Sequence, residues 1–402
     1  MEGTEQNAIS AWGLLIRRGV TRRNVLAVSL GLLVVCYVSV FMAYALSPGP
    51  IHMDFFGIWS WARFEIEQPP ARIYDHAAQQ AYLLSLDPAF PVPMPFPYPP
   101  PYLLLIRPLG WLSYPLAQAI WSGATLLAYL AALSERPPRW LTVLFALLAP
   151  ATAVNLLYGQ NGFLTAALLV GGIRLAPSRP MLGGIALGLL SYKPQLGFLV
   201  AIALATAALW RAAFVAGLTV AALVAASLLA LGAEPWTAWF HSLPEFGAIV
   251  YEQRVRLLHL MPTALSNALA LGASARLAMV IQAAVAIIAA AGVWFAFRRL
   301  PGKSSAAALA VASILASPYA FIYDLTLVAA AVALVATESS PKLTAAELLV
   351  LALASLLPAG MLFNAVPPVA TLVHLALFGI ILMRLRAIAP AREAQRGFVG
   401  VQ

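Results

Sequence analysis

The sequence predicts an all-α polytopic membrane protein, and three observations carry that expectation. Hydrophobic residues make up 62% of the 402 and charged ones only 10%, against about a half and a quarter in a soluble domain. The mean hydropathy is +0.86. The apolar residues fall in runs, many of them near the roughly 20 residues that a membrane-crossing helix needs. The composition excludes a soluble enzyme, and the chain reads as one integral membrane domain over 1–402.

The first run, Asn24 to Leu46, follows Arg17, Arg18, Arg22 and Arg23. Its length suits a span, and Leu46-Ser47-Pro48-Gly49-Pro50 lacks the small-residue site of a cleaved leader, so it reads as an uncleaved span. Eleven further runs follow: Gly110–Leu133, Trp140–Tyr158, Gly162–Ala176, Met181–Ser191, Leu196–Trp210, Ala212–Gly232, Arg276–Phe297, Ser304–Ala320, Leu325–Ala336, Leu343–Leu357 and Val369–Leu385. Met181–Ser191 and Leu196–Trp210 are short and read as half-helices meeting near Lys193-Pro194. The expected total is therefore about 10–12 transmembrane or half-membrane helices.

Threading these runs alternately puts most of the 24 Lys and Arg on the starting side, in short turns such as Arg136-Pro137-Pro138-Arg139 and Arg298-Arg299-Leu300-Pro301-Gly302-Lys303. The positive-inside rule makes that side cytoplasmic, with both termini there. The net charge of +9 thus reflects membrane topology, and no nucleic acid partner is expected. The one cysteine, Cys36, can form no intramolecular disulfide.

Two long segments fall on the opposite, outer side: 47–107 and 233–275. Loops of that length are uncommon unless they work. The first opens with Asp54-Phe55-Phe56-Gly57-Ile58-Trp59-Ser60-Trp61, the pattern of an interfacial helix. Asp54 at its start suits a helix cap or a catalytic acid equally. Downstream come Tyr74-Asp75 and the run Pro93-Met94-Pro95-Phe96-Pro97-Tyr98-Pro99-Pro100-Pro101-Tyr102. Proline at that density fixes φ and removes backbone donors, giving a stiff extended segment.

Gly159-Gln160-Asn161-Gly162 reads as a tight turn whose two amides can also meet sugar hydroxyls. Tyr192-Lys193-Pro194-Gln195 interrupts an apolar stretch. Its ammonium either snorkels to the interface or meets a phosphate. Tyr319 and Asp324 stand between two apolar runs, where Asp324 either caps a helix or binds substrate. In the second outer segment Trp236, Trp239, His241, Glu245, Glu252, Arg254, Arg256 and His259 mix aromatic, acidic and basic groups; this suits a cover over a polar cavity or an aromatic belt with solvated charges.

Other chemistries find little support. There is no H-E-x-x-H, C-x-x-C or G-x-S-x-G, and no phosphate-binding glycine loop for a nucleotide. No metal and no cofactor is expected.

Taken in order, Asp54, Tyr74-Asp75, Tyr98-Pro99-Pro100-Pro101-Tyr102 leading into Arg107-Pro108-Leu109, Gly159-Gln160-Asn161-Gly162, Tyr192-Lys193-Pro194-Gln195, Met261-Pro262-Thr263, Ser317-Pro318-Tyr319 and Tyr323-Asp324 resemble glycosyltransferase family 87. One departure stands out: family members usually carry a glycine shortly before the Tyr-Asp pair, whereas Gln68-Pro69-Pro70-Ala71 precedes it here. The resemblance implies a GT-C type helical bundle in the bacterial cytoplasmic membrane. It implies transfer of a hexose, typically mannose, from a polyprenyl-phosphate sugar to a lipid-linked or glycan acceptor on the outer face. It makes Asp54 the base. On that reading Lys193, Arg254 and Arg256 meet the donor phosphate. Tyr74, Asp75, Tyr98, Gln160, Asn161, Tyr192, Gln195, His259, Tyr319 and Asp324 then contact the sugar or acceptor. The rival readings are a secondary transporter or lipid flippase, for which no internal repeat is visible, and a membrane scaffold without catalysis.

Overall fold

The computed structural model describes residues 54–88, 90, 93–134, 140–252, 257–298, 302–338, 342–366 and 368–399, with residues 31, 37 and 38. The run Asn24–Leu46 lies almost wholly outside them, as do Arg254 and Arg256. Among the described residues the chain is helical and contains no strand.

The first segment contributes α1 (Asp54–Glu67), α2 (His76–Leu86) and α3 (Pro101–Gly110). The bundle continues through α4 (Tyr114–Leu133), α5 (Trp140–Leu148), α6 (Pro150–Tyr158) and α7 (Gly162–Leu175), the last carrying a π turn. Then come α8 (Pro180–Leu189), α9 (Pro194–Thr206), α10 (Trp210–Leu231), α11 (Glu234–Glu252), α12 (Ala264–Ala270) and α13 (Ala275–Phe297). The chain closes with α14 (Lys303–Ala316), α15 (Thr326–Ala336), α16 (Ala345–Leu362) and α17 (Ala370–Val399).

Among the described residues five helices are long and apolar enough to cross a membrane: α4, α10, α13, α16 and the first part of α17. The protein is a polytopic helical membrane protein. The run Trp140–Tyr158, expected as one span, is instead two helices bent by 58° where Pro150 starts α6. Proline at a first helical position costs no hydrogen bond but cannot continue the helix before it. Proline likewise starts α8 and α9, and the half-helices expected around Lys193 are there, separated by a short 3₁₀ turn.

Two layers follow from composition. The outward helices present large apolar side chains, such as Phe214, Leu218 and Leu229 on α10 and Met279, Val280 and Ile287 on α13. Every residue of α14 but Lys303 is buried, and so is every residue of α15 but Ala336. With Ser304-Ser305-Ala306-Ala307-Ala308 at its start, α14 lets neighbouring backbones approach closely. At about 1.5 Å per residue α14 is about 21 Å long, too short to span alone, so it serves as the bundle's inner core.

α1 lies where the interfacial helix was expected, yet protein encloses it: Phe55 through Ala62, Phe64 and Glu65 are all buried. The segment 233–275 is likewise mostly helical rather than open loop, with α11 and α12 inside it.

Candidate functional site

The turn Gly159–Gly162 is the point from which the site is built. Gly159 takes φ +65°, a left-handed conformation that ends α6, and a side chain there would strike Phe55. Gln160 Nε2 donates to Asp54 Oδ2 at 3.0 Å. Asn161 Nδ2 donates to Tyr98 Oη at 2.8 Å and Tyr102 Oη at 3.2 Å. Gly162 packs against the Tyr323 backbone so tightly that a Cβ would meet its carbonyl oxygen. Each of the four residues therefore fixes a different piece of the fold. Gln160 and Asn161 are almost fully buried, and Oε1 of one and Oδ1 of the other have no hydrogen-bond partner. Buried amide oxygens left unpaired are uncommon and call for a reason.

Asp54 begins α1 and is half-buried. Gln160 supplies its only hydrogen bond among the described residues, so Oδ1 is uncommitted. Burial pushes the carboxyl from the ordinary 3.8 up to about 6, against the opposing pull of the Gln160 bond. Tyr158, Tyr319 and Tyr323 lie within electrostatic reach of it. The rest of α1 is held by Trp59 Nε1 on Leu112 O at 3.0 Å and by the Arg107–Glu65 ion pair at 3.3 Å. That pair gives the Arg107-Pro108-Leu109 sequence its structural task.

The proline-rich segment forms one wall, tied at three carbonyls. Trp61 Nε1 donates to Met94 O at 3.0 Å, Trp239 Nε1 to Pro97 O at 3.2 Å, and Tyr74 Oη to Tyr98 O at 2.9 Å. Behind it three phenol rings pack together, with Tyr98 and Tyr102 centroids 4.2 Å apart and Tyr192 stacked on Tyr102 at 5.1 Å. Tyr192 Oη also lies 2.6 Å from Thr165 Oγ1.

A model of glycosyltransferase family 87 matches residues 96–318, more than half of the chain. The chain belongs to glycosyltransferase family 87. No curated protein and no solved structure matches it. A family 87 protein that is polytopic is a membrane glycosyltransferase, which sets aside the transporter and scaffold readings. The matched region includes Tyr98, Gln160, Asn161 and Lys193 but begins after Asp54 and ends before Asp324. Geometry joins both outliers to it: Gln160 holds Asp54, and Lys193 holds Asp324.

That second contact gives two of the expected ligand residues a partner inside the protein. Lys193 Nζ lies 2.6 Å from Asp324 Oδ1, both side chains are 4% exposed, and the ammonium sits over the Tyr323 ring at 5.1 Å. The Lys193 ammonium is thus paired within the protein. Asp324 is equally committed, because its Oδ2 accepts from Phe321 N at 3.0 Å and caps the turn into α15.

The remaining candidates divide. Asp75 caps α2 by accepting from Ala78 N at 3.0 Å, the ordinary helix-cap role. Met261-Pro262-Thr263 serves a cap too, since Thr263 and Ser266 form a reciprocal capping box for α12. Gln195 is half-buried with no side-chain hydrogen bond among the described residues. His259 is half-buried in a 3₁₀ turn, where burial lowers its pKa, and no contact ties it to Asp54. Tyr319 packs edge-on against Phe246 of α11 at 5.4 Å, so α11 reaches the Asp54 region. Tyr102, Tyr158, Thr165, Tyr323 and Phe246 belong to this neighbourhood without having been singled out as site residues. Tyr102 and Tyr323 lie inside quoted motifs and Tyr158 adjoins one, and that placement is the available signal.

Proposed function

We propose that this family 87 chain transfers a hexose, mannose first among them, from a polyprenyl-phosphate sugar to a lipid-linked or glycan acceptor at the outer face of the bacterial cytoplasmic membrane. Asp54 is the base of a single inverting displacement. Its Oδ1 takes the acceptor hydroxyl's proton while that oxygen bonds to the anomeric carbon. The bond from that carbon to the phosphate oxygen breaks, and the lipid phosphate leaves with the electron pair. A positioned base of this kind is worth roughly 10²–10⁴-fold.

One observation carries the reading: a half-buried carboxylate with one oxygen held by Gln160 and the other uncommitted, its pKa brought to about 6. A base is most effective when its pKa lies near the working pH. The unpaired Gln160 Oε1 and Asn161 Oδ1 are acceptors suited to hydroxyl donors, whereas a phosphate, an acceptor itself at these oxygens, is not, which favours the sugar at this turn. With Lys193 paired to Asp324, the phosphate falls to Arg254 and Arg256 on sequence grounds. Lys193 and Asp324 instead brace Tyr323 beneath the turn.

The test is incubation of purified protein with radiolabelled polyprenyl-phosphate mannose and a lipid acceptor. Labelled acceptor is the expected product, absent with Asp54→Asn. Transfer retained by Asp54→Asn removes it as base, and no transfer from any polyprenyl-phosphate hexose removes the donor class.

A further inference from the structure

Between the first segment and α11 lies an open hollow of about 370 Å³, a size common among small-molecule pockets. Ala71, Arg72, Tyr74 and Asp75 form one wall, and Ala238, His241, Ser242 and Glu245 of α11 form the other. Asp54 does not line it. Tyr74 connects the two places, because its hydroxyl donates to the backbone of Tyr98, whose own hydroxyl receives the Asn161 amide beside Gln160 and Asp54.

We infer that this hollow is a binding site for a neutral polyhydroxyl ligand, a glycan portion of the acceptor set back from its reacting hydroxyl. This rests on the glycosyl-transfer reading above. The chemistry of the walls selects the class. Asp75 and Glu245 offer carboxylate acceptors, Arg72 offers donors, and His241 and Ser242 offer groups able to do either. Sugar hydroxyls both donate and accept, so they use both kinds, while Tyr74 lines the hollow as a buried, fixed side chain. An anion is opposed by two carboxylates. A divalent cation is opposed by Arg72, and among the described residues no three His, Cys, Asp or Glu are grouped to hold one. A lipid chain is opposed by the charged rim.

A second feature marks the hollow's edge as unfinished. His76 stands next to Asp75, its side chain 7% exposed, with Nδ1 3.3 Å from Glu245 Oε1 across the gap. Neither ring nitrogen makes a hydrogen bond. Glu245, 62% exposed, is free to turn toward a ligand. The Glu245 carboxylate therefore faces the opposite wall only through this loose contact with His76, and a hydroxyl-rich ligand would complete the edge by bonding to both sides.

The experiment is equilibrium dialysis of the purified full chain in lipid nanodiscs with radiolabelled mannotriose, and in a second arm maltotriose. At least one trisaccharide should bind saturably. Asp54→Asn should leave the Kd unchanged, whereas Ala71→Trp, which fills the hollow, and the double variant Glu245→Gln/His241→Ala should each weaken it about tenfold, the loss of one or two hydrogen bonds. Neither inorganic phosphate nor magnesium chloride should displace the sugar. Absence of saturable binding in both arms, displacement by phosphate or magnesium, or unchanged affinity in both hollow variants overturns the inference. Because binding is read separately from transfer, Asp54→Asn that still transfers refutes the base assignment alone, and sugar binding that ignores the hollow variants refutes the hollow alone.

Discussion

Removing the Gln160 side-chain bond tests the electrostatics of the Asp54 site directly. In Gln160→Leu the carboxylate loses its one hydrogen bond, 3.0 Å long, while the buried volume is nearly conserved. That bond stabilises the charged form, so its loss raises the Asp54 pKa further above the present value of about 6. Hydrogen bonds to charged groups are worth about 1.5–3 kcal/mol, and partial exposure argues for the low end, which moves the acid limb by about one pH unit. The base must be ionised to act, so activity rises with pH through the pKa. The native enzyme should be half-active near pH 6, and the variant near about pH 7. At pH 6 the variant should be about fivefold slower, and at pH 8 the two should nearly coincide. The assay is kcat/KM for transfer from pH 5 to 9. A limb that stays in place, or an equal loss at every pH, would show that Gln160 acts through shape rather than charge and would refute this account.

Three further outcomes follow. Asp54→Asn should lower kcat by about 10²–10⁴-fold without lowering the yield of folded protein on size exclusion. Lys193→Met should strand a buried carboxylate and cost about 3–5 kcal/mol, seen as a lower Tm in detergent; adding Asp324→Asn, which keeps an acceptor for Phe321 N, should restore most of it. Gly162→Ala should push α7 off the Tyr323 backbone at a cost of about 1–3 kcal/mol and reduce transfer, whereas Gly217→Ala, with open space around it, should change neither measurement.

The helical class and most helix ends were legible because lipid-facing runs and proline starts act locally. The break at Lys193 was visible for the same reason, as a polar tetrad between two runs too short to span. The bend at Pro150 was missed because hydropathy stays high across it, and a run of apolar residues carries no record of direction. Asp54 stood out as a candidate through its place in an ordered set of motifs, but its partner Gln160 lies 106 residues away, a pairing that no local pattern encodes. Lys193 and Asp324 were each read as ligand contacts since an isolated charge in an apolar stretch needs a partner. The sequence could not say that each is the other's.

That pairing belongs to a wider constraint. In a lipid solvent, irregular backbone survives only where protein or a water-filled cavity covers it. Four of the breaks among the described residues are the proline-rich segment, Gly159–Asn161, the stretch around Tyr192-Lys193 and the one between Ser317 and Phe321. All four breaks meet: Asn161 bonds Tyr98, Tyr192 stacks on Tyr102 and bonds Thr165, Gly162 abuts Tyr323, and Lys193 pairs with Asp324. Their gathering gives the irregular backbone partners within the protein, and it concentrates tyrosines, amides and a buried ion pair at one place. Asp54 joins that cluster through Gln160, and among the described residues it is the carboxylate of the group that keeps an oxygen without a hydrogen bond, which is why the proposed chemistry is placed there.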